Sequence, residues 1–294
     1  MKKVVLYGMG HDSRENYDFI RSMERRGEIE LIGVSDKNVE QECVIEGLQV
    51  VVPERIPFLS FDYILVASKA FFSEIARELV HMRGIPRSRI LPFALFLMPG
   101  MTFELYEELC AKRWSILCNN CFGGLLSYHF GLEHRSPLKN LFIADRDLIR
   151  FADNITHYLG QEPVFDHWRE SPGYYVEKRY PVLRLDDIFL NCNHDVDSDT
   201  ALATYARRVA KVDPNALLLV LVTDNKKAER AFQGHFFGCL KLCISSVENH
   251  SEKTLYLAAD FHSHLLNKAN ALPGNPAYFN LFVNLLLGKE EFIY

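Results

Sequence analysis

A short stretch near the middle of the chain combines residue types that bind ligands and react with them. An apolar run at 115–118 is followed by Asn119, Asn120 and Cys121, with two glycines close behind. Amide side chains hydrogen-bond to ligands, and glycine lets a ligand approach the backbone closely. The segment therefore predicts a binding loop at the end of a strand. Its candidate substrate-binding glycines are Gly123 and Gly124.

The polar residues of this loop are candidates for catalysis. Asn119 and Asn120 suit hydrogen bonds to a sugar hydroxyl or to a polarised carbonyl oxygen, whereas the alternative is that they brace a turn. Cys121 is a candidate nucleophile for acyl transfer if a helix N-terminus or His129 stabilises its thiolate. The alternative for Cys121 is a small buried packing residue.

Three histidines are candidate general bases, because imidazole titrates near neutral pH. They are His129, His134 and His194. His194 follows an apolar strand and is the best placed of the three, so His194 and His129 join the candidate catalytic residues. Histidines with purely structural hydrogen bonds are the alternative.

Three arginines are candidate ligands for an anionic substrate. Arg135, Arg207 and Arg208 can each hold a phosphate or carboxylate with two hydrogen bonds. This would suit a nucleotide sugar, a lipid-linked phosphate or an anionic glycan, while solvated helix-face arginines are the alternative. Ser136 and Asp224, which follows an apolar strand, complete the predicted substrate-binding set.

The cysteine spacing does not predict a metal site. Cys118 and Cys121 form a C-x-x-C, and Cys239 and Cys243 lie four residues apart. Structural zinc normally requires four clustered thiolates or imidazoles at tighter, paired spacing. We therefore expect reduced thiols and no bound metal.

Two further patterns are weak metal signals. Asp195 and Asp197 form a D-x-D after a strand, which in many glycosyltransferases holds a metal bound to diphosphate. We favour helix capping here, because Asp197 stands just before a predicted helix. His262 and His264 beside Asp260 have no third ligand nearby.

The start of the chain carries a candidate cofactor site. Gly8 and Gly10 follow the first predicted strand, Asp36 ends the second, and Ser68 ends a later one. Glycines at a strand end and a following helix N-terminus can hold phosphate, and an acid after the next strand can bind ribose hydroxyls. The third glycine of the full fingerprint is replaced by Ser13. The cofactor is therefore left as unknown, with a nucleotide or nucleotide sugar as the candidate and a simple tight turn as the alternative.

Strands and helices alternate along the chain, which predicts an α/β fold in two domains. Residues 1–98 predict a small parallel, doubly wound sheet, in which Asp12 and Glu15 are spaced as a capping box for the first helix. Residues 99–294 predict a second α/β domain. Its predicted elements are a helix at 102–113, a strand at 140–144, a helix capped by Asp145 and ending at Gly160, a hairpin within 161–179 with the breakers Pro172 and Gly173, strands at 187–193 and 216–222, and a tail helix at 277–287.

Composition narrows the class of protein. The chain has 294 residues, of which 48% are hydrophobic and 24% charged, as in an ordinary globular protein. A formal net charge of -5 argues against nonspecific nucleic-acid binding. The apolar runs are far shorter than the roughly 20 residues of a membrane span, and the first of them reaches glycine and then charge too early to predict a signal peptide. We expect a cytoplasmic protein that acts on a small molecule or glycan, with its oligomeric state left open.

The first third of the chain resembles the small Rossmann-like domains at the front of many bacterial capsule and exopolysaccharide enzymes, including sugar O-acyltransferases. The resemblance rests on the order of the segments VVLYGMG, IGVSDKN, GLQVVVPERI, FDYILVAS and GIPRSRIL. It implies a fold with a small N-terminal Rossmann-like parallel sheet followed by a second α/β domain. In the relatives this module handles nucleotide-linked or other small ligands, or mediates contacts.

Residues 115–225 resemble the bacterial domain of unknown function 1919 family, often labelled exopolysaccharide biosynthesis protein. The matching residues are Asn119, Asn120, Cys121, Gly123, Gly124, Tyr128, Gly131, Leu132, Ser136, Pro137, Asn140, Leu141, Phe142, Tyr158, Leu159, Tyr180, Pro181, Asp186, Asp187, His194, Arg207 and Arg208. This chain departs from the family pattern at Cys118, Tyr205 and Asp195, where serine, tryptophan and tyrosine are usual. The C-x-x-C is therefore incidental.

The resemblance and the residues together favour a transferase of surface-polysaccharide biosynthesis. It would move a sugar or acyl group from a nucleotide-linked or phosphate-bearing donor, with its site in the second domain. The alternative is a nonenzymatic sensor or scaffold that binds a nucleotide and a glycan. A nicotinamide oxidoreductase is disfavoured by the incomplete glycine fingerprint.

Overall fold

The computed structural model describes residues 1–45, 47–171, 179–235, 237–248, 250 and 254–289. The chain forms two compact units, Met1–Leu105 and Tyr106–Tyr294. Both contain a sheet of parallel strands with helices, so the α/β class predicted from the sequence is confirmed. Among the described residues, no helix is both long and apolar enough to cross a bilayer.

The first unit is a six-stranded sheet with helices between its strands. Its elements are β1 (Lys2–Tyr7), α1 (His11–Glu15), α2 (Tyr17–Arg25), β2 (Ile29–Ser35), β3 (Cys43–Ile45), β4 (Leu48–Val50), β5 (Tyr63–Val66), α3 (Phe72–Arg83) and β6 (Ile90–Pro92). Strand β1 is buried from Val4 to Tyr7, as expected of a central parallel strand covered on both faces.

The strand order in the first unit is β3-β4-β2-β1-β5-β6. The five strands other than β3 run parallel, and β3 pairs antiparallel with β4 at one edge. The chain builds outward from β1 on one side, then returns to add β5 and β6 on the other. The order thus reverses at β1, and a crevice for a ligand forms where such a reversal occurs, outside the carboxyl ends of the strands.

The capping box predicted for the first helix is wrong. Asp12 lies inside α1, and its Oδ2 accepts a hydrogen bond from the backbone N–H of Lys69 at 3.0 Å. Glu15 pairs instead with His11 one turn earlier, with 3.0 Å between Nε2 and Oε1. The local spacing fitted the motif, but the carboxylate of Asp12 is used by a distant loop.

Helix α4 (Phe103–Ala111) spans the boundary between the units. The elements that follow it are β7 (Ser115–Cys118), α5 (Phe122–His129), β8 (Phe142–Ile143), α6 (Asp145–Asp153), α7 (Ile155–Leu159), β9 (Val164–Glu170), β10 (Arg179–Leu185), β11 (Ile188–Asn191), α8 (Ser198–Val209), β12 (Leu217–Thr223), α9 (Lys226–Gly234), β13 (Leu240–Ser245), β14 (Thr254–Tyr256), α10 (His262–Ala271) and α11 (Phe279–Leu287).

Two four-stranded sheets share the core of the second unit. One is parallel with the order β14-β13-β12-β7, and the other is antiparallel with the order β8-β11-β10-β9. Leu219 and Leu221 of the parallel sheet and Leu183 and Leu185 of the antiparallel sheet belong to one buried cluster. Phe151 of α6 is fully buried in the same cluster. The sheets are therefore held together by a common apolar core.

The structure alters two predictions for the second unit. The helix predicted from Asp145 to the residue before Gly160 is two helices, which Asn154 separates. Asp145 does not cap it, because Ala144 is the capping residue and the Asp145 carboxylate bonds elsewhere. A hairpin was predicted within 161–179, whereas β9 pairs with β10, which lies almost entirely beyond that range. The predicted breakers Pro172 and Gly173 lie outside the described residues.

Candidate functional site

The polar residues of the second unit gather at one edge of its parallel sheet. All four strands of this sheet point the same way, so their carboxyl ends lie along a single edge. Asn119, Asn120 and Cys121 follow β7, while Asp224 follows the neighbouring β12. Ligands in parallel α/β sheets bind at this edge. The predicted binding loop is therefore at the edge where a site is expected.

Asn119 connects neighbouring strands through hydrogen bonds. It is fully buried, its Oδ1 accepts from Val222 N at 3.0 Å, and its Nδ2 donates to Val222 O at 2.8 Å and to Asp145 Oδ1 at 3.0 Å. Its backbone oxygen accepts from Ile143 N at 3.1 Å. Both amide hydrogens are used, so Asn119 cannot donate to a substrate without breaking this network.

Asp145 lies at the edge of the site, although the sequence pattern predicted that it caps a helix. Its carboxylate accepts from Asn119 and from the Thr223 hydroxyl, which joins the ends of β7, β8 and β12. Burial raises the pKa of this carboxyl, and the two hydrogen bonds act in the opposite direction. The only sequence signal was an acid placed directly after a strand.

Asn120 accepts a hydrogen bond at the start of α5 and has one unused hydrogen-bond donor. Its Oδ1 accepts from Phe122 N at 2.8 Å, which satisfies an N–H group of the first helical turn. Its Nδ2 donates to Asn119 Oδ1 at 3.2 Å. Since an amide carries two hydrogens, one Nδ2 hydrogen has no acceptor among the described residues.

Cys121 and His194 form a pair at this edge. The Cys121 Sγ lies 3.4 Å from His194 Nε2, although 73 residues separate them in sequence. Cys121 is half-buried at the capping position of α5, and His194 is exposed. Burial raises the pKa of the Cys121 thiol, so the thiol holds its proton at neutral pH and the adjacent imidazole is the base that can accept it.

The second cysteine of the C-x-x-C is chemically different. Cys118 is buried at the end of β7, and burial raises its pKa to about 12. Its Sγ lies 3.5 Å from Asn120 Oδ1. All seven cysteines of the chain are free thiols, so the C-x-x-C does not form a disulfide. Cys121 is consequently the reactive candidate of the two.

The other two histidines are held by packing. The His129 ring lies against Gly274, where an added Cβ would meet its Cε1 at 2.6 Å, and it contacts the ring of Tyr128. The Nδ1 of His134 lies 3.1 Å from the hydroxyl of Ser127. Burial, together with the nearby cations Lys139, Arg208 and Lys211, lowers the pKa of His134 to about 3.

This neutral histidine should make the stability of the second unit depend on pH. The pKa of His134 is about 3 when folded and near 6.5 when unfolded, so the unfolded chain takes up the proton first as pH falls. The contribution is full above about pH 6.5 and is lost progressively toward pH 3. We expect a loss of about 2 kcal/mol between pH 7 and pH 5.

The loss is measured by urea unfolding at both pH values. Tryptophan fluorescence reports on the second unit alone, because Trp114 and Trp168, the two tryptophans of the chain, both lie there. His134→Gln should remove most of the pH dependence, while His167→Gln on the exposed strand β9 should leave it intact. An equal pH dependence in wild type and His134→Gln would contradict this assignment.

The candidate arginines have separate surroundings. Arg135 forms an ion pair with Glu133 at 2.6 Å. Arg208 donates to the backbone oxygen of Lys139 and interacts electrostatically with Asp195, the neighbour of His194. Arg207 is exposed. We call Lys139, Arg208 and Lys211 the basic cluster, since their combined charge acts on His134.

The candidate glycines and serine are packed against protein atoms. A Cβ at Gly123 would lie 3.1 Å from side-chain atoms of Cys118 and Ile116, so glycine lets α5 pack directly on β7. A Cβ at Gly124 would lie 3.1 Å from Asn140 Oδ1. Ser136 is buried and accepts from Leu138 N at 3.2 Å within a turn. These residues position the loop.

Asp224 has a histidine beside it. Its Oδ2 lies 3.4 Å from Nδ1 of His262, the first residue of α10. His264 faces Asp260 instead, at 3.9 Å. The two histidines thus have separate acidic neighbours, which local sequence could not distinguish. Asp224 and His262 form a second acid–base pair at the sheet edge.

The predicted helix cap at Asp197 is confirmed. Its carboxylate accepts from Thr200 N and from the Thr200 hydroxyl, both at 2.7 Å. The D-x-D pattern is therefore partly used by the start of α8. Within the described ranges, no three His, Cys, Asp or Glu side chains are grouped so as to hold a metal ion.

The candidate cofactor residues line a cavity in the first unit. Gly8, Gly10, Asp36 and Ser68 contribute to a cavity of about 380 Å³ at the carboxyl ends of β1, β2 and β5. Gly8 has φ +104°, a conformation that favours glycine. Asp36 Oδ2 accepts from Met9 N at 2.9 Å, and its Oδ1 accepts from Asn38. The volume lies within the range of small-molecule sites.

The chain thus combines a parallel α/β unit that contains a ligand-sized cavity with an α/β unit that presents a thiol–imidazole pair. Residues 95–236 match the model of the family described as Domain of unknown function (DUF1919), and residues 1–91 match the family described as C2185-like, N-terminal. The first match confirms the predicted resemblance and covers the candidate residues from Asn119 to Asp224.

One curated protein with a similar sequence is described as uncharacterized. The chain is 23% identical over 129 residues to an uncharacterized protein of Haemophilus influenzae. The aligned stretch covers 44% of this chain and 59% of the relative's length.

Proposed function

We propose that this protein is an acyl-group transferase of surface-polysaccharide biosynthesis, in which Cys121 is the nucleophile and His194 the acid–base group. The observation that carries the proposal is the 3.4 Å distance between Cys121 Sγ and His194 Nε2 at the carboxyl edge of a parallel sheet. A thiol beside an imidazole suits acyl transfer through a thioester. Glycosyl transfer has no comparable use for a thiol nucleophile.

The transfer proceeds in two halves. His194 Nε2 accepts the Cys121 proton as Sγ bonds to the acyl carbon of the donor, and the carbonyl electron pair moves onto oxygen. The pair returns as the donor's leaving group departs with the proton from His194. An acceptor hydroxyl then gives its proton to His194 and attacks the thioester, and Sγ leaves and regains a proton.

Other residues have supporting roles in this proposal. The uncommitted Nδ2 hydrogen of Asn120 can donate to the developing oxyanion, a use that would raise the rate by stabilising charge in the transition state. Arg208, the member of the basic cluster that lies near Asp195, favours a donor that carries phosphate. Asp224 and His262 are assigned to the acceptor side of the same edge.

The first unit is assigned as a Rossmann-like small-molecule domain. Its strand order and its cavity at the order reversal support this assignment. The surface-polysaccharide setting rests on the sequence resemblance. A binding protein without catalysis is the second candidate, and the cavity of the first unit is the observation that favours it.

Mass spectrometry tests the proposal. Purified protein incubated with acetyl-coenzyme A, a phosphate-bearing thioester, should gain one acetyl group on Cys121 when no acceptor is present. Cys121→Ala should gain none, while the matched variant Cys43→Ala, which removes an exposed thiol from the first unit, should be acetylated like wild type. Acetylation of Cys43 in preference to Cys121 would contradict the assignment, as would no adduct with any of a panel of thioesters.

A further inference from the structure

The cavity of the first unit has an unusual charge for a phosphate site. Four carboxylates line it, those of Asp12, Asp36, Glu74 and Glu78, and the one lysine is Lys37. We infer that this cavity binds an amine-bearing, hydroxyl-rich ring compound that lacks phosphate. The inference does not depend on Cys121 chemistry, so either proposal can fail while the other stands.

The backbone donors around the cavity argue against phosphate. Met9 N–H donates to Asp36 Oδ2 at 2.9 Å, and Lys69 N–H donates to Asp12 Oδ2 at 3.0 Å. Carboxylates of the chain itself therefore occupy N–H groups at the strand ends that a phosphate would use. Helix α1 has only five residues and gives little dipole to attract an anion. A phosphate entering here would also meet the four carboxylates at close range.

A tyrosine side chain lines the cavity and offers its hydroxyl group to a ligand. Tyr7 is 2% exposed, lines the cavity, and has no hydrogen-bond partner for its hydroxyl among the described residues. Burial and the nearby Glu78 and Asp36 carboxylates raise the pKa of Tyr7 to about 12, so the hydroxyl keeps its proton. A protonated phenol both donates and accepts hydrogen bonds, so it can pair with a hydroxyl or amine of a ligand.

The other residues that line the cavity account for the ring and the amine of the proposed ligand. Phe71 is 61% exposed beside the cavity and offers an apolar face for a sugar or other ring. Glu74 and Glu78 lie one turn apart on α3, so they extend the negative charge along the cavity. In the described part of the chain no three acids are grouped to share a metal ion. Charge spread in this way suits an organic cation with several hydroxyls.

Calorimetry with three matched probes tests the inference on the full chain. Glucosamine, glucose and glucosamine 6-phosphate differ in the amine or in the phosphate. We expect glucosamine to bind about tenfold more tightly than either of the others. Its binding should weaken as salt rises from about 50 to about 500 mM, because the attraction is between charges.

Variants locate the binding. Glu78→Gln and Tyr7→Phe should each weaken glucosamine binding by about tenfold, while Glu40→Gln, at an exposed acid outside the cavity, should not. Circular dichroism shows whether each variant remains folded. Should Tyr7→Phe unfold, Glu78→Gln, at a half-buried position of α3, decides alone. Equal or tighter binding of the 6-phosphate, no binding of any probe, or an unaffected Glu78→Gln would each overturn the inference.

Discussion

His194→Ala should slow acylation of Cys121 by about 10²- to 10⁴-fold, the range typical for loss of a general base. Burial raises the pKa of the Cys121 thiol, so few molecules hold a thiolate at neutral pH. With Nε2 at 3.4 Å, His194 can take the proton as the sulfur attacks. Without that imidazole the reaction must wait for the rare thiolate. Single-turnover acetylation followed by mass spectrometry measures the rate.

The pH profile separates this role from a structural one. In His194→Ala the rate should keep rising with pH beyond the ordinary thiol range, because the raised pKa of Cys121 then limits the reaction. His157→Ala, which removes a half-buried histidine paired with Asp186, is the matched control and should behave like wild type. A variant at His194 that keeps the wild-type rate and profile would eliminate His194 as the base.

The second large effect concerns stability: Lys241→Met should lower the free energy of unfolding of the second unit by about 3 kcal/mol. Lys241 is only 4% exposed. Its Nζ donates to the backbone oxygens of Phe232 at 2.9 Å and of Gln233 and His235 at 2.8 Å. These oxygens end α9, where carbonyl groups lack helical partners. Methionine has a similar length but cannot donate a hydrogen bond, so all three backbone oxygens would lose this donor.

Urea unfolding followed by tryptophan fluorescence measures this loss in the second unit. Lys227→Met is the matched control, because Lys227 lies exposed in the first turn of the same helix. It should change the stability by less than about 0.5 kcal/mol. A loss below about 1 kcal/mol for Lys241→Met would show that water replaces the ammonium at these oxygens.

The sequence predicted best the elements that are buried on both faces. Strand β12 was expected at 216–222 and is found at Leu217–Thr223, since a central parallel strand is a continuous apolar run in any sequence. Breaks within a helical stretch were harder to predict from the sequence. Asn154 interrupts a sequence whose apolar spacing continues, because tertiary contacts outweigh local periodicity there.

The sequence predicted the individual residues of the candidate site better than the contacts between them. The loop after β7 and His194 were both predicted as catalytic candidates, but a helix N-terminus or His129 was expected to stabilise the Cys121 thiolate, whereas the structure brings His194 to the sulfur. Asp145 was expected to cap a helix, yet it bonds residues 26 and 78 positions away. Local spacing contains no information about such contacts.

Asn119 also sets limits for engineering this protein. Its side chain bonds β12 of the parallel sheet, and its backbone oxygen bonds β8 of the antiparallel sheet. Aspartate would lack the amide donors, and glutamine would be one methylene too long for both contacts. The loop from Asn120 onward can therefore be exchanged to alter specificity. Any such exchange must retain asparagine at position 119, because this residue connects the loop to both sheets.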